Sequence, residues 1–422
     1  MGSTNSPERQ KEVCFVKRIF ALLLALTLVL AVGAGAMAAD SSLSGTLSIL
    51  SWYNETLSAP VIEGFKAKYP NVTVDYTYAP PVADYVEKLS TLLYTGTAPD
   101  VFYMALENRE ALTVGGYCMD LSGESYMQDG TIPDAVKAMY PNCAAVDCWV
   151  GGLFYNKDIF AACGITEEPK TWDEFLTVCQ TLKDNGYVPL LDNCQDAAVN
   201  FVAPLFGAET LSKDPDFTAK VFAGEAKFVD GWTKPYEMFK ELVDKGYLSA
   251  DMVGISGDDV VVQFATEQVA MIISGSWNCG TIDQINPDLN YEVMGIPGTE
   301  HVYYCGCINV GPCINANAKN PEVAKAFIEY CVSPEGLEAQ YSAYGGFTVA
   351  KGFTPELRKE VVDAVAAVQA GEFHIPMSEW ISYTESLRLT FLAGIQDVLV
   401  GACTPQEAAA RLDAKLAEVS AQ

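Results

Sequence analysis

Trp52, at the end of an apolar strand candidate, is followed at once by Tyr53, Asn54 and Glu55. An indole, a phenol, an amide and a carboxylate in succession supply a flat apolar face together with paired hydrogen-bond donors and acceptors. That set suits a molecule with weakly polar C–H faces and a rim of hydroxyls, the surface of a sugar. Trp277 has a related setting: it follows Gly275-Ser276 directly after the apolar run 269–273, and the two small residues leave space beside its ring. Strand ends at the edge of a parallel sheet point into the crevice where open α/β folds bind ligands.

Groups for bond-breaking chemistry are sparse. The only histidines are His301 and His374, and no G-x-S-x-G elbow, H-E-x-x-H helix, P-loop or Rossmann glycine fingerprint occurs. No cofactor is therefore expected. Cys305-Gly306-Cys307 with Cys313 lacks the paired C-x-x-C spacing and nearby His of a zinc site, so no metal is expected either. Carboxylates are too abundant to be informative, and composition alone leaves a glycoside hydrolase with its acid and second carboxylate as a rival reading.

The elements that must carry these residues read as α/β. Leu47 to Trp52 forms a strand candidate, a helix opens at Pro60 with Val61, Phe65 and Tyr69 at four-residue spacing, and Val72, Val74, Tyr76 and Tyr78 then alternate. Strand, helix and strand in so short a span make a βαβ unit of a mostly parallel sheet. Thr171 to Glu174 and Thr404 to Glu407 read as capping boxes, and Asn320-Pro321 as a cap before a first-turn proline. Gly186 and Gly246 fit helix stops. Trp172 and Trp232 sit among apolar residues at helical spacing and read as core, and Asp100 as a residue that fixes a turn or helix end. Gly151-Gly152 and Gly345-Gly346 are hinge candidates, and no repeat or Pro/Ser tether is present.

Residues 17–39 read as a secretory signal: Lys17-Arg18, an apolar run from Ile19 to Val32 shorter than the ~20 residues of a spanning helix, then Ala36-Met37-Ala38 as the cleavage site. The mature chain is expected to begin near Ala39 or Asp40, with Val16 a candidate for the true initiator. No Cys follows the cleavage site, so no lipid anchor is expected. About 380 residues then remain, enough for two domains with cores. They hold 22 basic and 52 acidic residues, a formal charge of −30, which makes nucleic acid an improbable partner. Twelve cysteines remain, with Cys143–Cys148 one possible disulfide.

Between about Ser44 and Leu416 the chain resembles the family 1 extracellular solute-binding proteins, the group that includes the maltose-binding protein and feeds ABC importers. The resemblance rests on the shared order of Thr95-Gly-Thr-Ala-Pro-Asp-Val101, Phe154-Tyr-Asn-Lys-Asp158, Lys170-Thr-Trp-Asp-Glu-Phe175, Ala270-Met-Ile-Ile-Ser-Gly-Ser-Trp277 and Ala318-Lys-Asn-Pro-Glu-Val-Ala-Lys-Ala-Phe327. It implies a type II periplasmic-binding-protein fold: a first lobe of 44–148 plus about 292–343 and a second of 149–291 plus about 344–422, joined at a hinge around a ligand cleft. It implies further a non-catalytic extracytoplasmic monomer whose partners are a small solute, a mono- or oligosaccharide, and a membrane permease. A polyamine, a peptide or an organic anion is the alternative cargo, with low Arg content arguing against the anion. By the same resemblance Trp52, Asn54, Glu55, Glu107, Trp149, Trp277, Tyr344, Trp380 and Tyr383 line the cleft, with Asn108 or Arg109 in the role of Glu107 if that loop is shifted by a residue. The chain departs from the family at 143–152, where the common Gly-Lys-x-Tyr-Gly-x-Pro stretch is shortened and altered.

Overall fold

The computed structural model describes residues 40–140, 142–194, 196–308, 311–341, 346–380 and 382–421. The export signal with its cleavage site, the candidate start at Val16, Tyr344 and Gly345 lie outside the described residues. No helix among the described residues is long and apolar enough to cross a membrane.

The chain builds strands β1 (Ser44–Ser51), β2 (Asn71–Tyr78), β3 (Val101–Met104), β4 (Asp147–Asn156), β5 (Val188–Leu191), β6 (Val269–Gly275), β7 (Tyr291–Met294), β8 (Ile296–Pro297), β9 (Val302–Tyr303), β10 (Cys305–Ile308), β11 (Gly311–Ile314) and β12 (Phe347–Thr348). They fall into two main sheets. The first runs β11-β3-β1-β2, with β1 parallel to both β2 and β3 and only β11 reversed. The second runs β10-β4-β6-β5, with β7 and β12 also paired to β4, and β5 parallel to β6. Helices cover both: Glu55–Lys68 and Pro321–Cys331 pack on the first, and Trp172–Asp184, Phe228–Asp244, Thr384–Leu399 and Pro405–Ser420 belong to the second lobe.

Local sequence explains the element ends. Thr171 and Thr404 form reciprocal capping boxes with Glu174 and Glu407. The helix expected to open at Pro60 begins five residues earlier, because the Asn54 side chain accepts the Leu57 N–H as an N-cap. Asn320 does not cap with its side chain; instead Asp100 accepts the N–H groups of Lys319 and Asn320, while its other oxygen takes the hydroxyl of Ser48. Asp100 thus ties the start of that helix to β1.

Three sequence expectations are corrected here. Residues 292–308, assigned above to the first lobe, hold β7 and β10, both paired to β4, so the chain first pairs again with the first sheet at β11. Gly151-Gly152 is not a hinge but the middle of β4. A Cβ on Gly152 would lie 2.4 Å from the Met294 carbonyl oxygen and one on Gly151 2.8 Å from that of Ser274, so glycine is what lets β6 and β7 close on β4. Cys143 and Cys148 are both free; the Cys143 thiol donates to the Gly311 carbonyl at 3.2 Å. The Cys305 and Cys313 pair is split between sheets as well, Cys305 on β10 and Cys313 on β11. Gly152→Ala should destabilise the protein by about 1–3 kcal/mol, the usual cost of overpacking; equilibrium urea unfolding measures it, and an unchanged midpoint would refute the crowding.

Candidate functional site

A cavity of about 490 Å³ opens between the sheets, and part of its wall is made by residues that follow strand ends. Trp52, Tyr53 and Asn54 follow β1; Ala105, Leu106 and Glu107 follow β3; Asp192 and Asn193 follow β5; Trp277 and Asn278 follow β6. A second cavity, of about 20 Å³ behind Tyr53, is too small for a solute.

On the first-lobe side Trp52 is held edge-on by Tyr85 and Tyr103, with ring centroids 4.8 and 5.9 Å away. Those props are themselves fixed: the Tyr85 hydroxyl donates to the Tyr103 carbonyl at 2.6 Å and accepts the Tyr103 N–H at 2.7 Å. Tyr53 donates its hydroxyl to Asp147 Oδ2 at 2.8 Å, and Tyr341 donates to Oδ1 at 2.9 Å. Asp147 is the first residue of β4, so its buried carboxylate joins first-lobe phenols to the central strand of the second sheet. Asn54 lines the cavity while its side-chain Oδ1 accepts the Leu57 N–H and caps the helix behind it.

Opposite stand Trp149, from β4, and Trp277, in edge-to-face contact with centroids 5.1 Å apart at 77°. The Trp277 ring folds back over Gly275, where a Cβ would lie 1.9 Å from the indole. Gly275 is therefore obligatory for this ring position.

Of the nine predicted residues, Trp52, Asn54, Glu107, Trp149 and Trp277 come together on the cavity wall. The others do not. Glu55 points to solvent in the first turn of its helix, where a carboxylate favours the helix dipole. Trp380 is 1% exposed and packs in the second-lobe core against Phe228, Trp232 and Phe391, so its ring serves the core and not the cleft. Tyr383 is off the wall too; its backbone N–H donates to Glu110 Oε2 at 2.9 Å. Tyr344 lies outside the described residues. Asn108 and Arg109 turn inward, Asn108 accepting the Ala105 N–H and Arg109 lying over the Tyr140 ring. Trp172 and Trp232 are buried in the core as their helical setting requires.

Sequence reasoning missed the second-lobe floor: Asp192, Asn193, Asn200 and Arg388, all buried and all on the cavity. The rule that picked Trp52 would have found the first two, since Asp192 directly follows the apolar strand Leu190-Leu191. Asp192 Oδ1 accepts the Asn193 N–H at 2.7 Å, but Oδ2 has no hydrogen-bond partner among the described residues. Burial dominates this carboxyl and pushes it up to about 7, against the pull of the backbone N–H groups of Asn193 and Cys194. Arg388 is the single basic side chain among the described lining residues, and Glu385 on its own helix takes both its Nε and Nη2 at 2.8 Å. With Glu107, Asp192 and Asp258 also on the wall, the cavity disfavours anions.

The comparisons agree with this architecture. A family model described as bacterial extracellular solute-binding protein matches residues 61–369. The multiple sugar-binding protein of Streptococcus mutans is 24% identical over 323 residues, covering 69% of this chain and 71% of that protein. A family 1 extracellular solute-binding protein from Bifidobacterium longum subsp. infantis superposes with a TM-score of 0.66 at 27% identity, covering 89% of this chain and 99% of that one. A sugar transporter protein from Bacillus licheniformis in complex with stachyose gives 0.69 at 18% identity, with 87% and 98% covered.

Because the folded-state value of Asp192 lies above its ordinary 3.8, the folded protein keeps a proton that the unfolded chain has released, and stability is lost as pH rises from about 4 to about 7. Asp192→Asn removes that loss. The variant should gain roughly 1–4 kcal/mol over wild type at pH 8 and little at pH 4; chemical unfolding at both pH values measures it, and a pH-independent difference would refute the buried titration.

Proposed function

The chain belongs to the bacterial extracellular solute-binding protein family, and from that premise we propose that it captures a carbohydrate between its two lobes and delivers it to the permease of an ABC importer. The observation that carries the reading is the meeting of Trp52 from one sheet with Trp149 and Trp277 from the other across a single cavity. Flat rings on both sides match the C–H faces of a sugar, and Asn54, Glu107 and Asn278 on the same wall match its hydroxyls. The cavity volume lies in the usual range of small-molecule sites.

The protein works outside the cytoplasm, as its family does, and residues 17–39 serve as the export signal, removed near Ala39 or Asp40. It acts as a monomer without catalysis: the sugar leaves unchanged. Ligand contact with both walls draws the lobes together, and the closed form is what the permease senses. The surplus of acidic residues keeps nucleic acid away.

A thermal-shift and calorimetric panel of stachyose, raffinose, maltotriose, xylotriose and chitotriose tests the reading, with spermidine and citrate as non-sugar controls. At least one sugar should raise the melting temperature without yielding product. Binding of a control alone would overturn the carbohydrate assignment, and product formation would overturn the receptor. Trp277→Ala should weaken the bound sugar by about 1–3 kcal/mol, as loss of a stacked aromatic does; unchanged affinity by calorimetry would remove Trp277 from the site.

A further inference from the structure

Two polar side chains that the second lobe contributes to the cavity wall, Asp192 and Asn200, have hydrogen-bonding capacity that the described residues do not use. Asp192 is 0% exposed, and its Oδ2 accepts nothing from the described residues. Asn200, nine-tenths buried on the helix Asp196–Phe206, accepts the Cys305 thiol at Oδ1, 3.2 Å away. That contact sets the orientation of the amide and leaves Nδ2 as an unused donor on a residue of the cavity wall. An acceptor and a donor on the same cavity wall, neither with a partner among the described residues, are the complement of a group that donates and accepts at once. A hydroxyl is such a group.

We propose that Asp192 Oδ2 and Asn200 Nδ2 form a hydroxyl-recognition subsite that selects the end group of the bound sugar. The proposal rests on the carbohydrate reading above. With Asp192 ionised, the ligand hydroxyl donates to its Oδ2 and accepts from Asn200 Nδ2, satisfying both. Polar discrimination of this kind is strong, because a ligand lacking the hydroxyl leaves the buried Asp192 oxygen unpaired. The neighbouring Arg388 is held by Glu385, so the subsite offers no guanidinium fork to a carboxylate or phosphate end group. An unpaired oxygen in so closed a place also costs stability, and its retention fits a role in binding more than one in folding.

Calorimetry with stachyose, raffinose, maltotriose, xylotriose and chitotriose on wild type, Asp192→Asn, Asn200→Ala and the double variant tests this. For the sugar that wild type binds, each single variant should lose at least tenfold in affinity, and the double variant less than the product of the two losses, since one hydroxyl joins both groups. Unfolding curves keep the outcome readable: variants that stay folded and bind like wild type would mark Asp192 as structural and overturn the subsite. Independent, multiplicative losses would overturn the shared hydroxyl. If no sugar binds wild type, the carbohydrate reading fails first; the acceptor at Asp192 then survives only if spermidine binds wild type at least tenfold tighter than Asp192→Asn, and otherwise falls with it.

Discussion

Two pairs of parallel strands ending at the same crevice are the constraint from which the rest follows. In the first sheet β1 and β3 run parallel, and in the second β5 and β6 do. A parallel pair delivers both of its carboxyl ends to one edge, and the loops that leave there must turn before their covering helices begin. In this protein those loops carry Trp52 to Asn54, Ala105 to Glu107, Asp192 to Asn193, and Trp277 to Asn278. The site is thus a consequence of strand direction in two independent sheets, furnished by the residue types that happen to stand at the strand ends.

What joins the halves is equally specific. β4 is buried along its whole length and pairs with β6, β7, β10 and β12, so it is the strand around which the second sheet is assembled. Its first residue, Asp147, takes the hydroxyls of Tyr53 and Tyr341 from the first lobe. A buried carboxylate without such partners would be strongly destabilising, whereas with two phenols it becomes a fixed point. Tyr53 adjoins Trp52, so the same network that spans the lobes also borders the cavity wall.

Much of this was legible in the chain. Alternation and four-residue spacing gave the first βαβ unit, the Thr-x-x-Glu boxes gave two helix starts, and small residues before Trp277 forecast the room its ring occupies. The failures have physical causes. Trp380 carries the same side chain as Trp277, but its place is decided by Phe228, Trp232 and Phe391, which lie far away in sequence. Gly151-Gly152 looked like freedom and proved to be crowding, since glycine serves both needs and only the approach of Met294 and Ser274 separates them. The lobe boundary after β10 was hidden because β10 and β11 are neighbours in sequence yet join different sheets. Asp192 was overlooked because an aspartate after a strand reads as a turn residue until its burial is known.

The most direct test is a crystal structure of the protein with the sugar that stabilises it best. Density for a sugar ring should lie between Trp52 and the Trp149–Trp277 pair, in van der Waals contact with side chains of both lobes. A sugar bound to one lobe only, or seated away from these three indoles, would contradict the account.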